Sequence, residues 1–383
     1  MHLKQAIFAV LACAAASFAQ DPNFHIYLAY GQSNMSGQAK ATDADKTPDQ
    51  RFLVLRAANH SNQKVGEFYP AAPPMGHSGS QVGIVDIFGR TMVANLPDSI
   101  KIAVANVAIG GQSIDLFDKD RNAAYVQNAK NKGDTWWIKY LDEYGGDVYK
   151  RLVEMGKIAK QKGVIKGFLF HQGEADYQMS DWPSRVKKVY DDLVAELELD
   201  PEKTPILIGE LATTEAGGDL GWRNPAVKEA AELIPNGHLI SAEGCPALKE
   251  TSYTLHFTRE GYEMFGKRYA EKMLELLKAS EVVPQDTAVG DSVVNDSAVT
   301  DTSVGIARGA GVASAIAMRV SGNRLVVTGA PAGARVRILD VQGHVLAVLS
   351  AQGGALPQLS EGRVLALVES ASGMRLMTRV LKL

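Results

Sequence analysis

Four short polar segments of this chain carry the residue types of acyl-transfer chemistry. Gly31-Gln32-Ser33-Asn34-Met35 places a serine on a glycine turn, and Gly110-Gly111-Gln112-Ser113 contains paired glycines. His171-Gln172-Gly173-Glu174 and Leu255-His256-Phe257-Thr258 supply imidazoles, an amide and a carboxylate. A hydroxyl nucleophile, an imidazole base, a carboxylate that orients the base and amide donors for an oxyanion are the parts of a serine hydrolase site. Each segment alone is a weak signal, because an ordinary polar turn has similar residues.

The elements that must position these segments alternate between short apolar runs and amphipathic stretches. The runs are bounded by Gly, Pro or Asn and predict buried parallel strands. Three of the four polar segments follow such a run, and the fourth begins a predicted helix. Ligands of open α/β sheets bind beyond the carboxyl ends of the strands. The pattern predicts an α/β domain of three layers with a parallel sheet. The predicted strands are residues 25–30, 101–109, 165–170 and 205–209, and two predicted helices are residues 181–198 and 258–278.

The first nineteen residues predict an export signal. Lys4 precedes an apolar run over residues 6–12, and small residues end at Ser17-Phe18-Ala19. This order is typical of a secretory signal peptide cut between Ala19 and Gln20. A lipoprotein signal that modifies Cys13 is an alternative. The apolar run is too short to span a bilayer, and we expect no membrane span.

The remainder of the chain predicts an esterase-sized domain over residues 20–280, a disordered linker over 281–311 and a second domain over 312–383. Residues 286–297 repeat small, polar and acidic types without aromatics, a composition that buries too little apolar surface to order itself. Beyond them, short strand-like pieces alternate with glycine turns, which predicts a small antiparallel β-sandwich.

Composition excludes several classes of protein. The 383 residues include 40 Lys+Arg and 43 Asp+Glu, for a net charge of −3, so no basic excess indicates nucleic-acid binding. Two cysteines exclude a disulfide scaffold and a cysteine zinc site. After signal cleavage Cys245 remains, and we expect it to be a buried apolar residue. No His–carboxylate spacing is typical of a metal site and no phosphate loop or dinucleotide motif is present, so we expect neither metal nor cofactor.

The four polar segments, in this order and followed by Gly261-Tyr262, resemble the SGNH hydrolase superfamily. Within it they resemble the branch of sialate O-acetylesterases and carbohydrate esterase family 6, which includes acetylxylan esterases. The resemblance covers residues 24–277. It implies a flavodoxin-like αβα sandwich and metal-independent hydrolysis of O-acetyl groups on carbohydrates.

The resemblance also implies roles for individual residues. Ser33 corresponds to the nucleophile and His256 to the general base. The oxyanion hole corresponds to the backbone N–H groups of Ser33 and Gly111, or of Gly110 beside it, with the side-chain amide of Gln172. The neighbouring amide side chains are expected to bind substrate: Gln32, Asn34 and Gln112.

One position departs from the superfamily pattern. The usual acid lies three residues before the histidine, where this chain has Tyr253, and a phenol of pKa about 10 is a poor substitute for a carboxylate. We expect Glu174 to orient His256 as the third catalytic residue. Glu250, Asp176 or a backbone carbonyl are alternatives.

The C-terminal segment resembles the sorting domains of type IX secretion. It contains the turn Asp340-Val341-Gln342-Gly343 and closes with Arg379-Val380-Leu381-Lys382-Leu383. The resemblance implies export machinery as a partner and a secreted or surface-attached protein. A carbohydrate-binding or spacer module is the alternative, but no aromatic residue follows Tyr269, and sugar-binding faces usually need aromatic platforms.

These observations together predict a secreted serine esterase, a carboxylic ester hydrolase that removes acetyl groups from plant-cell-wall polysaccharide such as acetylxylan. A sialate O-acetylesterase or another short-chain carboxylesterase is an alternative, and a non-catalytic carbohydrate-binding protein is a third. One or more tryptophans could stack on a sugar, although core packing is the commoner role for each: Trp136, Trp137, Trp182 and Trp222.

Overall fold

The computed structural model describes two compact units, an α/β unit up to residue 281 and a β unit from residue 317 onward. The signal peptide and the linker lie outside the described residues, except for Glu281, which ends a helix. None of the described helices combines the length and apolar composition that a bilayer crossing requires. The described residues are 20–281, 317–321, 324–328, 330, 334–339, 345–350, 353–355, 363–369 and 375–382.

A seven-stranded sheet forms the centre of the α/β unit. Its strands are β1 (Asp21–Gly31), β2 (Phe52–Leu55), β3 (Phe68–Pro70), β4 (Lys101–Ala108), β5 (Gly163–His171), β6 (Ile206–Gly209) and β7 (Gly237–Ile240). Their order is β3-β2-β4-β1-β5-β6-β7, and neighbouring strands are parallel except β2 and β3. The mostly parallel sheet flanked by helices confirms the predicted fold class.

Helices cover both faces of this sheet. They are α1 (Ser33–Ser36), α2 (Ile84–Asn95), α3 (Asn122–Lys132), α4 (Ile138–Glu143), α5 (Val148–Lys162), α6 (Trp182–Glu196), α7 (Asn224–Leu233) and α8 (Arg259–Glu281), with 3-10 turns at Ile114–Leu116 and Gly221–Arg223. Helices α2 and α8 pack against one face of the sheet and form one hydrophobic core with it. Helices α5, α6 and α7 pack against the other face and form a second core. The predicted helices over 181–198 and 258–278 correspond to α6 and α8.

Buried on both faces, β1 runs through the middle of the sheet. Ile26, Leu28 and Tyr30 belong to one core, whereas Tyr27 and Ala29 belong to the other. Successive side chains of a strand point to opposite faces, so a strand between two helical layers is apolar throughout. The predicted strands at 25–30, 101–109, 165–170 and 205–209 are confirmed as β1, β4, β5 and β6.

The arrangement β4-β1-β5 brings three polar segments to one edge of the sheet. Each segment follows the carboxyl end of one of these three adjacent strands. Gly31 ends β1 with a φ of 143°, and a Cβ there would overlap the carbonyl oxygen of His171 at the end of β5. Glycine at this position therefore lets the two strand ends approach each other closely.

The β unit contains seven described strands in one antiparallel order, β14-β13-β10-β11-β12-β9-β8. Buried Val336 and Ile338 alternate with exposed Arg335, the pattern of a strand with one face on a core. The predicted antiparallel C-terminal module is confirmed. The strands are β8 (Ala317–Ser321), β9 (Arg324–Thr328), β10 (Arg335–Leu339), β11 (Val345–Ser350), β12 (Gly353–Ala355), β13 (Arg363–Glu369) and β14 (Arg375–Lys382).

A buried carboxyl group begins α2. Asp86 is 2% exposed and accepts a hydrogen bond from the Gly83 N–H at 3.0 Å. Burial raises the pKa of Asp86 to about 7, although the Gly83 N–H and the Arg90 guanidinium favour the charged form. Between about pH 4 and pH 7, the native protein therefore retains a proton on Asp86. The unfolded chain, with an aspartate pKa of about 3.9, has released this proton.

We predict that replacement of Asp86 by asparagine changes how stability depends on pH. Between about pH 4 and pH 7 the native state binds the extra proton, so ionisation of the unfolded chain lowers the wild-type free energy of unfolding as pH rises, by at most about 1.4 kcal/mol per pH unit. Asp86→Asn removes this contribution. The measurement is urea unfolding of both proteins at several pH values, with exposed Asp98→Asn as control. Parallel wild-type and Asp86→Asn curves would contradict the assignment.

Candidate functional site

Ser33 lies on the sharp turn between β1 and the short helix α1. Strand β1 ends at Gly31 and the helix begins at Ser33. Ser33 is 7% exposed. The second polar loop packs directly against it, since a Cβ on Gly110 would lie 3.4 Å from the Ser33 Cβ. A serine on such a strand-to-helix turn presents its hydroxyl at the edge of the sheet.

Asn34 joins this turn to two other polar segments. Its Nδ2 donates to Glu174 Oε1 at 2.8 Å and to the Leu255 carbonyl oxygen at 3.0 Å, and its Oδ1 accepts from the Tyr262 hydroxyl at 2.6 Å. The side chain is fully buried, so each of these bonds forms away from water. Because Leu255 precedes His256, the bond to its carbonyl holds the histidine segment beside the serine turn.

His256 is paired with a carboxylate from its own loop. Glu250 Oε1 lies 2.8 Å from His256 Nδ1, and Glu250 Oε2 accepts from the N–H groups of Leu255 at 3.2 Å and His256 at 3.4 Å. An ionised carboxylate only accepts hydrogen bonds, so this contact assigns the proton to Nδ1 and leaves Nε2 as the basic atom. The described residues Ser33 and His256 form no direct hydrogen bond with each other.

The Glu250 carboxylate is ionised under neutral conditions. Burial alone would raise its pKa, but the hydrogen bonds from the His256 ring and from backbone N–H groups outweigh burial and lower the pKa below its usual value. A charged Glu250 can stabilise an imidazolium that forms on His256 during acyl transfer.

The prediction that Glu174 orients His256 needs correction, because Glu174 points elsewhere. Its carboxylate binds Asn34 and lies 3.7 Å from His171 Nδ1. Glu250, weighed as an alternative, makes the contact instead. Asp176, a further alternative, accepts from the Ile114 N–H at 2.7 Å, and Tyr253 is 66% exposed.

His171 does not compete with His256 as a base. Its Nε2 donates to the carbonyl oxygen of Glu210 at 2.9 Å, and its ring contacts Phe257 and Phe265 edge-on. Burial lowers the pKa of His171, although the nearby Glu174 carboxylate opposes this shift. The neutral ring therefore packs at the end of β5. Glu210 supports the next loop, since its carboxylate accepts from the Ala242 N–H.

The predicted oxyanion role of Gln172 is also corrected. Its Nε2 lies 2.6 Å from Asp176 Oδ2 and 3.2 Å from both Gln32 Oε1 and the Gln112 carbonyl oxygen, while its Oε1 accepts from Trp182 Nε1. An amide has two N–H donors, and both are used inside the protein. The backbone N–H groups of Ser33 and Gly111 remain the predicted oxyanion donors, and Gly111 has the left-handed φ of 73°.

The three amides expected to bind substrate are likewise used for structure. Gln32 is 2% exposed and its Oε1 accepts from the Ala175 N–H and Gln172 Nε2. Gln112 is equally buried, donates to the Gly110 carbonyl and accepts from the Tyr125 hydroxyl. Asn34 is saturated by the bonds described above. The bonds of all three side chains hold loops together, and their contact with substrate stays a prediction.

A second serine–histidine pair lies nearby but has the wrong proton arrangement for catalysis. Ser36 Oγ is 3.2 Å from His77 Nε2, and His77 Nδ1 accepts from the Gly79 N–H at 3.0 Å. The proton of a neutral His77 is therefore on Nε2, where it donates to Ser36 and cannot remove a proton from it. Burial lowers the His77 pKa to about 4, which keeps the ring neutral.

One acidic cluster in the described part of the chain has the spacing of a metal site, formed by Asp118, Asp120 and Asp192. The Lys188 ammonium lies 2.7–2.8 Å from all three carboxylates. Lys119 pairs with Asp192 and Arg121 with Asp118 as well, so three side-chain cations already balance the three carboxylates.

Residues 23–275 match the family model described as carbohydrate esterase, sialic acid-specific acetylesterase. The match covers more than half of the chain, and the chain belongs to this family. Membership supports an esterase, a carboxylic ester hydrolase.

Three solved structures are similar to this chain at low sequence identity, and the similarity to NanS is one of fold. NanS is 15% identical with a TM-score of 0.50, and the alignment covers 67% of this chain and 99% of NanS. A protein from Arabidopsis thaliana is 21% identical with a TM-score of 0.48 and the same coverage of 67% and 99%. A carbohydrate acetylesterase from Xanthomonas citri is 18% identical with a TM-score of 0.45, covering 92% of this chain and 78% of that protein.

The Glu250–His256 contact predicts an order of mutational effects. Glu250→Gln removes the charge that stabilises the imidazolium, so we expect kcat for an acetate ester to fall by about 10²-fold. Glu174→Gln retains an oxygen that accepts from Asn34, and we expect a loss below about 10-fold. Steady-state kinetics of both variants measures this order, with the exposed helix residue Glu260→Gln as control. A larger loss in Glu174→Gln than in Glu250→Gln would restore Glu174 as the third catalytic residue.

Proposed function

We propose that this protein is a secreted serine esterase that removes O-acetyl groups from polysaccharide, with acetylxylan as its substrate. The Glu250–His256 pair, tied through Asn34 to the turn that carries Ser33, is the observation on which the proposal depends. Membership of a carbohydrate esterase family supports the sugar acetate as substrate class.

In the proposed reaction, Ser33 Oγ attacks the acetyl carbonyl carbon while His256 Nε2 takes the hydroxyl proton. The carbonyl oxygen becomes an oxyanion, and backbone N–H groups of Ser33 and Gly111 stabilise it. Collapse breaks the ester bond, and the proton on Nε2 passes to the departing sugar oxygen. His256 then removes a proton from water, which attacks the acetyl-serine, and returns that proton to Ser33 Oγ as the acyl bond breaks and acetate leaves. Glu250 stabilises the imidazolium in both halves.

Charge near the site favours a neutral sugar. Glu174 is buried against Asn34 of the serine turn, and Glu250 lies beside His256. Carboxylates at this edge of the sheet disfavour an anionic ligand electrostatically, whereas xylan is largely uncharged. This supports acetylxylan over an acidic sugar.

An O-acetyl sialic acid is the second candidate substrate. The description of the matching family names sialic acid specificity, and the same acyl-transfer steps would act on that ester. Such a substrate carries a carboxylate, so it requires a compensating cation from the enzyme.

The first test compares acetate release by wild type and Ser33→Ala. Loss of the nucleophile should reduce kcat by at least about 10³-fold. Ser36→Ala is the matched control, because Ser36 lies on the same helix but binds His77, and we expect it to retain most activity. Substrates are acetylxylan, O-acetyl sialic acid and ethyl acetate. Wild-type rates in Ser33→Ala would refute the serine mechanism, and faster turnover of O-acetyl sialic acid than of acetylxylan would select the second candidate.

Export is a separate part of the proposal, supported by the signal-like N-terminus and the sorting-like C-terminal module. We predict that the full chain, produced in a Gram-negative host with type IX secretion, is found outside the cytoplasm with Gln20 as its first residue. N-terminal sequencing and mass spectrometry measure this. A lipid-modified Cys13 would indicate the lipoprotein alternative, and an intact Met1 in the cytoplasm would contradict export.

A further inference from the structure

We propose that Trp136 is a platform on which the sugar ring of the substrate stacks beside the catalytic serine. This inference rests on the proposed function and identifies a residue that binds the sugar rather than the acetyl group. It follows from the exposure of the indole, its rigid support and its contact with the second catalytic loop.

The structure separates the four tryptophans into two kinds. Trp137 and Trp182 are fully buried, as core residues, whereas Trp136 is 58% exposed and Trp222 is 57% exposed. A single exposed apolar side chain is ordinary on a protein surface. Exposure therefore gains meaning here only through what lies beside the ring.

Trp136 contacts the loop that carries the predicted oxyanion donor. A Cβ on Gly111 would lie 3.3 Å from Trp136 Cζ2 and 3.7 Å from Cη2, so the edge of the indole lies over the glycine. Gly110, the preceding residue, packs against Ser33. The chain of contacts runs from Ser33 through the two glycines to the exposed indole, which places the ring at the rim of the site.

A buried neighbour holds Trp136 in this position. Trp137 caps the beginning of α4, and its ring packs against Tyr125 with centroids 5.9 Å apart. The Tyr125 hydroxyl in turn donates to Gln112 Oε1 and accepts from the Ser113 N–H. The loop of Gly111 and the turn of Trp136 are thereby joined through one buried anchor, which pre-organises the platform.

The chemistry of an exposed, anchored indole suits a pyranose ring. One edge of the ring contacts Gly111 while more than half of the side chain faces water. The C–H face of a sugar is apolar and can cover this surface, while its hydroxyl groups stay in water. An acetyl group on such a sugar would then lie close to Ser33.

The test separates sugar binding from ester chemistry. Trp136→Ala should raise KM for acetylated xylo-oligosaccharide or O-acetyl sialic acid, whichever wild type hydrolyses, by about 10-fold with kcat changed less than about 3-fold. Hydrolysis of ethyl acetate, which has no ring, should stay within about 2-fold of wild type. Trp136→Phe should recover most of the sugar affinity. Trp222→Ala is the matched control, an equally exposed tryptophan, and should leave KM unchanged.

Several outcomes would overturn the platform. Equal losses on the sugar acetate and ethyl acetate would mean that Trp136 supports the loop, and no loss on either would mean that it contacts no sugar. If wild type hydrolyses ethyl acetate but neither sugar acetate, the proposed carbohydrate substrate fails. Calorimetry of Ser33→Ala with unacetylated xylo-oligosaccharide then decides the platform separately: binding that Trp136→Ala abolishes supports it, and absence of binding refutes it.

Discussion

The buried side chain of Asn34 is the interaction on which the site depends. Its three hydrogen bonds connect the serine turn to Glu174, to the carbonyl before His256 and to Tyr262 on α8. Loss of this amide would leave buried polar partners unsatisfied, at about 1–3 kcal/mol for each. More consequentially, it would release the segment that presents His256. The side-chain amide of Asn34 thus holds together segments that lie more than two hundred residues apart in the sequence.

The sheet makes such a convergence possible. Because β1 lies between β4 and β5, the loops after all three strands meet at one edge, and the polar side chains of these loops are necessarily buried against each other. A buried polar group that lacks a hydrogen-bond partner is costly. Gln172 bonds Gln32 Oε1 and Asp176, and the Gln112 side chain bonds the Gly110 carbonyl and the Tyr125 hydroxyl. Their chemistry is thereby used to fix the loops.

Sequence patterns predicted the parts of the fold that periodicity determines. The long buried strands β1, β4 and β5 and the amphipathic helices α6 and α8 have clear patterns, whereas β2, β3 and β7 contain only three or four residues and depend on pairing with the sheet. Ser33 and His256 could be located because their segments have a recognisable order. The carboxylate that pairs with His256 could not be located in this way. Glu250 is six residues away in sequence and reaches the ring only because the Ala247–Phe257 bridge closes the loop between them. Only the folded loop shows which carboxylate forms the hydrogen bond with the His256 ring.

The same distinction applies to the amide side chains that the sequence predicts to bind substrate. Polar residues inside the motifs resemble ligand-binding groups in sequence, yet burial in the structure leaves Gln32 and Gln112 each 2% exposed. A ligand must be recognised by groups that water can reach, and around the serine turn these include Trp136 over Gly111 and Tyr253 on the His256 loop. The motifs therefore form the buried, hydrogen-bonded loops at the sheet edge, and the groups that a ligand can reach lie in the less patterned loops around them.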